Sequence, residues 1–353
     1  MNLKGPRVEN VACLLCKSYD SRVVVRQRDL ASDIVSSEEQ EYTVVRCKGC
    51  GLLYLNPRPE KSEIARLYSP PNVPANPSGN QTSVHRTAKR MPTRVRRWIM
   101  EDFYGYPAIT APGLWRRLRK LFLWPEKVRR VLSGRTILPW VGRGRLLDVG
   151  CGQGSNMATL YNMGWDVHGV DLGEAAFQVA HELFGDRVKL GDFLDIHYED
   201  RSFDVVLFNH SLEHLYDSMS ALREARRILD DEGVLVVAVP NAGSMEARLF
   251  GRWWMPWELP RHLYHFEKAT LAQLLSQAGF RVELCRTAVG ELFFMCSLDR
   301  VWRHVCGGRK LPLRIVIEKL IAQPFSLLMG HLGLGTEITV YAKKDFSMGC
   351  VKN

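Results

Sequence analysis

The sequence has no long uncharged apolar run. Nowhere do 18 consecutive apolar residues occur without a charged side chain, so we expect no transmembrane helix. The first residues, MNLKGPRVENVACLLC, lack an apolar core followed by small residues, so we also expect no signal peptide and a cytoplasmic protein. The 353 residues are 46% hydrophobic and 24% charged, which is typical of a globular protein with two or three domains.

Acidic residues are scarce between residues 84 and 145. This stretch has 16 Lys or Arg and 3 Asp or Glu, a balance of +13, whereas the whole chain carries +10. Within it, GLWRRLRKLFLWPEKVRRVL places apolar side chains at helical spacing: Leu114, Leu118, Leu121 and Phe122. Pro125 should kink or end this helix. A basic amphipathic helix can lie on an anionic membrane or contact nucleic acid, or it can be a solvated helix packed on its own domain.

The nine cysteines, without an export signal, favour metal ligands or free thiols over disulfides. Two C-x-x-C pairs lie 30 residues apart, with Cys13 and Cys16 in the first and Cys47 and Cys50 in the second. Four thiolates complete a tetrahedral zinc site, so the zinc would be structural. The alternative is four ordinary buried cysteines. We predict a zinc ribbon and a short helix within residues 1–68, followed by a linker and a basic amphipathic helical segment over 69–141.

From Arg145 onward, short apolar strands alternate with helices, beginning with RLLDV and SNMATLYNMG and ending with the strand TEITVYAKK. This alternation predicts a doubly wound, Rossmann-like α/β fold with a parallel sheet covered on both faces. We place this core at residues 142–345, with an apolar and basic insert at about 296–335 and a tail at 346–353. The insert could cap the active site or lie in a membrane interface.

A glycine loop follows the first core strand, where doubly wound folds bind nucleotide-like ligands. It contains Gly150, Gly152 and Gly154, but Ser155 stands where the dinucleotide fingerprint needs its third glycine. Acidic residues next to the glycine loop and after the following strands also support a ligand site. Asp171 ends the second strand and can accept hydrogen bonds from ribose hydroxyls, while Asp192 and Phe193 suit an adenine ring. Asp148, just before the glycines, suits a cofactor with a cationic centre.

The stretches LLDVGCGQG, VHGVDLG, GDF and FDVVLFNHSLEHL resemble successive motifs of class I methyltransferases that use S-adenosylmethionine. The resemblance implies a seven-stranded sheet whose last strand is antiparallel. It also implies that the three glycines line the methionine part of the cofactor and that Asp171 holds the ribose. Asp192 and Phe193 would then flank the adenine, and Asn209 would lie near the reacting methyl group.

Two further stretches, CKGCGLLYLNPRP and GRWWMPWELPRHLYHF, are similar to a bacterial subfamily with an N-terminal zinc ribbon that is linked to sugar or polysaccharide biosynthesis. This resemblance implies a sugar or glycan acceptor, and a lipid-linked glycan would suit the apolar insert and the basic helix. We place these residues in the acceptor pocket: Glu213, His214, Trp253, Trp254, Trp257, Arg261 and Tyr264. His262 and His265 are candidate general bases. Alternatively, the loop is a packed lid that excludes water, and the two histidines have a structural role within it. Peripheral contact of the protein with the inner face of an anionic membrane would suit the insert and the basic helix.

The stretch HSLEH, residues 210–214, matches a zinc-protease pattern that needs one established helix. Here it follows a buried strand, and the next helix should begin only near Asp217, so we expect a loop. Some relatives of this fold bind a divalent ion at this loop, so Glu213 and His214 could form a metal site, shape the pocket or cap the next helix.

Alternative functions are an RNA methyltransferase, suggested by the basic segment, and a non-catalytic scaffold that binds cofactor and zinc.

Overall fold

The computed structural model describes residues 7–28, 41–63, 94–107, 117–125, 138–288 and 291–347. Thirteen strands lie in these ranges: β1 Val8–Glu9, β2 Ser21–Arg28, β3 Glu41–Cys47, β4 Leu53–Leu55, β5 Arg58–Pro59, β6 Arg145–Val149, β7 Asp166–Asp171, β8 Val188–Leu190, β9 Phe203–Asn209, β10 Leu229–Pro240, β11 Tyr264–His265, β12 Phe280–Ala288 and β13 Glu337–Lys344. The helices with defined bounds are α1 Arg94–Phe103, α2 Ser155–Tyr161, α3 Glu174–Phe184, α4 Ser218–Ile228, α5 Met245–Phe250, α6 Lys268–Gln277, α7 Glu291–Val305, α8 Arg314–Ile317 and α9 Gln323–His331.

Seven strands form the central sheet in the order β12-β13-β10-β9-β6-β7-β8. The strands from β8 to β10 run parallel to one another, and β13 pairs antiparallel with both β10 and β12. The predicted doubly wound sheet with an antiparallel last strand is therefore confirmed. Every residue of β9 except the last is buried, as expected for a strand covered on both faces.

The carboxyl ends of β6, β7 and β9 lie next to one another because these strands are adjacent and parallel. Ligands in such sheets bind outside this edge, where the strand order reverses. The glycine loop, Asp171 and Asn209 therefore meet at one edge of the sheet. The predicted start of the helix after HSLEH is also confirmed, since the Asp217 side chain accepts a hydrogen bond from the Ser220 backbone N–H.

The helix after HSLEH is shorter than the sequence pattern predicts. The stretch DSMSALREARRILDDEG predicts a helix that is closed by Gly233, but α4 ends at Ile228 and β10 begins at Leu229. The register of β10 against β9 shifts between Leu229 and Val234. A side chain at Gly233 would collide with Leu229, which explains a glycine within this irregular part of the strand.

The N-terminal unit forms a four-stranded antiparallel sheet with a strand from the core, in the order β11-β4-β3-β2. In β11, which follows β10 along the chain, Tyr264 pairs with Tyr54 and His265 with Leu53. One more backbone hydrogen bond runs from Leu55 N–H to the Leu263 carbonyl at 2.9 Å. The predicted zinc ribbon is thus joined by backbone pairing to the segment that we assigned to the acceptor.

Part of the basic segment lies outside the described residues, including Leu114. Residues 117–125 are helical, as predicted, and Leu121 and Phe122 are exposed. Arg119 donates to the Asp102 and Glu101 carboxylates of α1, so some of this positive charge is balanced within the protein. Within the described ranges, none of the helices has both the length and the apolar character needed to cross a membrane. The predicted tail falls partly outside the described residues, from 348 onward.

Asp204 anchors the start of the central strand and yields a test of the fold. Its buried carboxylate accepts hydrogen bonds from the Arg143 and Arg145 backbone N–H groups and from the Arg145 guanidinium, the last at 2.8 Å. We expect Asp204→Ala to lower the free energy of unfolding by about 3 kcal/mol, because these donors would lose their partner. Urea denaturation measures this change.

Asp230 provides the matched control. It also lies near the Arg145 guanidinium, at 3.5 Å, but its side chain is 42% exposed. Asp230→Ala should therefore cost less than about 1 kcal/mol. Equal losses in the two variants would contradict the role assigned to Asp204.

Candidate functional site

The glycine loop is held against the second strand of the core. The backbone N–H groups of Gly150 and Cys151 donate to the Val170 carbonyl at 2.8 and 3.2 Å. Gly150 and Gly152 both have a positive φ, which favours glycine. A Cβ at Gly150 would lie 2.5 Å from Cβ of Ser211, whereas a Cβ at Gly152 would meet nothing within 4 Å. The loop therefore packs tightly at Gly150 and faces open space at Gly152.

The Asp171 carboxylate is held by backbone N–H groups from two loops, the glycine loop after β6 and the turn after β7. One carboxylate oxygen accepts the Gly152 N–H at 2.7 Å, and the other accepts the Gly173 N–H at 2.8 Å. Each oxygen has a further lone pair, so the two can accept the pair of ribose hydroxyls that the resemblance assigns to this residue. Burial raises the pKa of Asp171.

Asp148 lies beneath the glycine loop with 1% of its surface exposed. One carboxylate oxygen accepts from the Asn156 amide at 3.2 Å, and the other has no hydrogen-bond partner. Burial raises the pKa of Asp148 to about 7. A cationic group placed nearby would favour the ionised form. An incompletely satisfied carboxyl group at this position fits a cofactor that carries positive charge, such as S-adenosylmethionine.

Asp192 and Phe193 follow β8, and both are engaged within the protein. The Asp192 carboxylate accepts from Lys61 Nζ at 2.8 Å and from the Leu194 N–H at 3.1 Å. The Phe193 ring is buried and meets Phe208 edge to face, with ring centroids 6.0 Å apart. Contact of these two residues with adenine stays a prediction. Lys61 is a residue that sequence reasoning missed, because nothing local in the sequence connects it with a carboxylate 131 positions away.

Asn209 and His210 follow the strand β9 at the same edge. Asn209 is exposed, and its contact with the reacting methyl group stays a prediction. His210 Nε2 lies 2.7 Å from a carboxylate oxygen of Glu337. Although burial opposes a charged imidazole, the nearby carboxylates of Glu213 and Glu337 raise the pKa of His210 to about 10. His210 and Glu337 were not among the predicted site residues, because the strand that carries Glu337 joins this edge only in the folded sheet.

The predicted acceptor loop is largely packed into the protein. Trp254 and Trp257 are buried and meet edge to face with their ring centroids 5.2 Å apart, so the packed-lid alternative describes them. Trp253 is partly exposed and stacks on His304 at 4.5 Å. Arg261 Nε donates to Glu258 at 3.2 Å. For all of these residues, contact with the acceptor stays a prediction.

Tyr264 and the two candidate bases are buried as well. Arg58 from the N-terminal unit donates to the Tyr264 hydroxyl at 3.3 Å. His265 is 3% exposed and lies against Trp257, and burial lowers its pKa well below the ordinary value. His262 is 5% exposed, and its Nδ1 lies 2.8 Å from the Pro256 carbonyl. Because a carbonyl can only accept, Nδ1 carries a proton and Nε2 is the nitrogen that can take one.

His262 lies beside the HSLEH loop. One potential ligand atom from each of Glu213, His214 and His262 falls within 4.8 Å of the others. Neither carboxylate oxygen of the buried Glu213 has a hydrogen-bond partner, and His214 Nδ1 lies 3.1 Å from the Arg261 carbonyl. Burial, together with the neighbouring His262, lowers the pKa of His214 to about 4. His262 adds a third potential ligand to the predicted metal site at Glu213 and His214, and metal binding there stays a prediction. Within HSLEH, Leu212–His214 form a short 3₁₀ turn, so the predicted loop is confirmed and the stretch is not the established helix that the protease pattern needs.

The four predicted zinc ligands converge in the N-terminal unit. One sulfur atom from each of Cys13, Cys16, Cys47 and Cys50 lies within 4.8 Å of the others. Sγ of Cys13 is 3.3 Å from that of Cys50, and Sγ of Cys16 is 3.3 Å from that of Cys47. Zn–S bonds of about 2.3 Å in a tetrahedron place sulfurs about 3.8 Å apart, so the cluster could hold zinc after a small expansion.

The backbone around the cluster favours thiolates. Burial opposes ionisation of Cys47, but hydrogen bonds from the backbone N–H groups of Cys50 and Gly49 lower its pKa to about 7. In contrast, burial raises the pKa of Cys13, and a bound cation would reverse that shift. The site therefore suits a metal that takes four sulfur ligands.

Gly152 gives a test of the cofactor site. A Cβ at this position enters the open space beside the loop, so Gly152→Ala should raise the dissociation constant for S-adenosylmethionine at least about tenfold. Gly164→Ala is the matched control, because Gly164 also has a positive φ and open surroundings. Both variants should lose similar stability, about 1 kcal/mol. Isothermal titration that shows equal affinities for the two variants would contradict this placement of the cofactor.

Loss of a zinc ion held by the four cysteines should disturb the predicted acceptor loop and spare the cofactor site. We expect the double variant Cys13→Ser/Cys47→Ser to lose zinc and to show faster hydrogen exchange over residues 251–265, because β11 would lose its partner β4. Its affinity for S-adenosylmethionine should change less than about threefold. Cys285→Ser/Cys306→Ser, outside the cluster, is the control. Unchanged exchange in the loop of a zinc-free protein would refute this coupling.

Comparison with known proteins agrees with this geometry. A family model described as a methyltransferase domain matches residues 111–284. The chain is 32% identical over 144 residues to a probable S-adenosylmethionine-dependent methyltransferase of Mycolicibacterium smegmatis, covering 39% of this chain and 52% of the relative. It is 30% identical over 160 residues to a ubiquinone biosynthesis O-methyltransferase of Thiobacillus denitrificans, covering 42% of this chain and 68% of the relative.

The chain thus spans about half the length of the first of these relatives. Among solved structures, an S-adenosylmethionine-dependent methyltransferase from Archaeoglobus fulgidus aligns with 66% of this chain and 100% of its own, at 20% identity and a TM-score of 0.41. Taken with the glycine loop and its two acids at the carboxyl edge of the sheet, the sequence matches show that this chain belongs to the class I S-adenosylmethionine-dependent methyltransferases.

Proposed function

We propose that the protein transfers a methyl group from S-adenosylmethionine to a hydroxyl group of a sugar or glycan acceptor, either free or lipid-linked. The observation that carries this proposal is the contact between the two stretches that resemble the sugar-linked subfamily. CKGCGLLYLNPRP contributes β4 and GRWWMPWELPRHLYHF contributes β11, and these strands pair with each other. The two stretches therefore form one structure beside the cofactor edge.

Arg58 extends this structure toward the cofactor edge. Its guanidinium donates to the Tyr216 carbonyl at 3.1 Å and lies over the Tyr216 ring at 4.6 Å. Tyr216 follows HSLEH, which itself follows β9. The Leu263 N–H also donates to the Glu213 carbonyl at 2.9 Å. The N-terminal unit, the loop after β9 and the loop after β10 thus support one another where an acceptor would bind.

S-adenosylmethionine supplies a methyl group bound to a positively charged sulfur, which an oxygen nucleophile can attack. Bound at this site, the cofactor would supply its methyl group to the acceptor oxygen, with S-adenosylhomocysteine and a proton as the other products. The acceptor hydroxyl must also lose its proton to a base. Asp171 and the glycine loop would hold the cofactor, and the buried loop residues would exclude water. The relative from T. denitrificans is named as an O-methyltransferase, which supports oxygen as the acceptor atom.

Of the two candidate bases, we favour His262. Its Nε2 lies 3.5 Å from a Glu258 carboxylate oxygen, which would stabilise the imidazolium formed when the base takes a proton. It also lies next to Glu213, four residues beyond Asn209. His265 is buried against Trp257 and is better explained as part of the packing.

The histidines can be tested by replacement with Ala and Gln. We expect His262→Gln to lower kcat by about a hundredfold or more, with unchanged affinity for S-adenosylmethionine, because the variant lacks only the proton acceptor. His265→Gln should mainly lower the thermal midpoint. Single-turnover rates and cofactor titrations separate the two effects. Undiminished turnover in both variants would remove the base assignment.

The acceptor class is tested by incubating the purified protein with cofactor labelled in its methyl group. Nucleotide sugars, free glycans, lipid-linked glycans and total RNA form the acceptor panel. Label in a sugar-containing product supports the proposal. The basic stretch over residues 84–145 makes RNA the second candidate, although Arg119 and Arg145 within it are paired with acids of the protein. Label in RNA would replace the proposal, and cofactor binding without any transfer would favour a scaffold.

A further inference from the structure

The segment between β12 and β13 has an apolar face that points away from the protein. From α8 through a π-helical stretch, Glu318–Ala322, to α9, the chain is continuously helical. One face packs inward through the buried Ala322, Ser326 and Met329. The opposite face carries the large aliphatic side chains of Val316, Leu320 and Leu328, which are exposed by 48%, 72% and 55%. Leu313, directly before α8, is exposed by 73%.

More aliphatic side chains flank this row. Ile315 and Ile321 are exposed as well, by 74% and 54%. Single exposed apolar residues are common on soluble proteins, but a contiguous group of this kind marks a surface that meets an apolar partner. We call the surface formed by Leu313, Ile315, Val316, Leu320, Ile321 and Leu328 the insert face.

The charge around the insert face is predominantly positive. Residues 300–335 contain six Lys or Arg and one Glu. Arg309, Lys310 and Arg314 are exposed next to the apolar row. The partner should therefore offer both an apolar interior and negative charge at its surface. A bilayer with anionic phospholipids has both, because aliphatic side chains enter the acyl boundary while Arg and Lys meet the phosphates.

We propose that the insert face docks the protein on the surface of an anionic phospholipid membrane. A second copy of the chain fits less well, because a two-fold contact would bring two basic surfaces together. Nucleic acid would use the basic residues but would leave six large aliphatic side chains without an apolar partner. The contact is peripheral, since no helix in the described part of the chain is suited to cross the bilayer.

The insert is fixed to the edge of the sheet that carries the candidate active site. Phe293 of α7 meets the His210 ring at a centroid distance of 6.0 Å. The Ser326 hydroxyl of α9 donates to Glu246 at 3.2 Å, and the Thr287 hydroxyl donates to the Gly330 carbonyl at 3.0 Å. A docked insert face would thus hold the active-site edge near the membrane, where a lipid-linked acceptor would be presented. That consequence rests on the proposed function, whereas the docking itself does not.

Vesicle sedimentation tests the docking directly. The purified full chain is mixed with vesicles of phosphatidylcholine alone, or of phosphatidylcholine with phosphatidylglycerol, at low and at high salt. We expect binding only to the anionic vesicles, weakened by salt. Leu313→Ser/Leu320→Ser should lower the bound fraction roughly tenfold, since two exposed aliphatic side chains would no longer enter the bilayer. Arg309→Glu/Arg314→Glu should remove the preference for anionic lipid.

The matched control is Tyr161→Ser/Leu190→Ser. These residues are also exposed, and Leu190 belongs to β8 at the opposite edge of the sheet from β12. The control should bind vesicles like the unchanged protein. The proposal is overturned if the unchanged protein stays in the supernatant with anionic vesicles at low salt. It is also overturned if the insert-face variants bind as well as the control, or if sedimentation analysis shows a dimer that only these variants lose. Failure to find a methyl acceptor would leave the vesicle result intact.

Discussion

The pairing of β4 with β11 is the interaction on which the proposed acceptor side of the molecule depends. It joins a strand beside the cysteine cluster to the loop that follows the fifth parallel strand of the core. A two-residue strand has little stability alone, and its backbone groups are satisfied because the N-terminal sheet provides partners. The four cysteines would therefore do more than stabilise an appended unit. By holding β4, a metal at the cluster would hold the loop with His262 and Tyr264.

Electrostatics at the carboxyl edge of the sheet define the cofactor side. Asp148 and Asp171 lie beside the same glycine loop, and burial raises the pKa of each. Two partly desolvated carboxyl groups are unfavourable near an anionic ligand, whereas a cationic ligand stabilises their ionised forms. A pyrophosphate-containing dinucleotide would bring negative charge to this place, and S-adenosylmethionine brings a positively charged amino group and sulfur. The charge of the site thus agrees with the family that the sequence indicates.

The sequence pattern predicted the parallel sheet and the position of the glycine loop, because apolar strands, amphipathic helices and glycines at strand ends follow from short-range patterns. The antiparallel last strand was implied by the resemblance to class I methyltransferases. The end of α4 was placed five residues too late, since the irregular start of β10 has no strand periodicity. Residues that meet only in the folded chain were also missed. Lys61 with Asp192, and His210 with Glu337, are separated by 131 and 127 positions and carry no common motif.

Burial was the other property that the sequence could not provide. Tryptophans after a strand at a ligand edge can face a sugar ring or pack within a lid, and the pattern of residues is the same in both cases. The structure buries Trp254 and Trp257, and it buries both candidate histidines. Conversely, the apolar residues of the insert could have been core residues by composition. Only the folded structure shows that one face of that helical segment packs inward while the opposite face is exposed.

The most direct test of this account is a crystal structure of the full chain with S-adenosylhomocysteine. The account predicts the ribose hydroxyls on the Asp171 carboxylate, the amino acid portion along Gly150 and Gly152, and the sulfur turned toward the loops that carry Asn209 and His262. A ligand bound elsewhere, or one whose sulfur faces away from the loop held by β4, would contradict it.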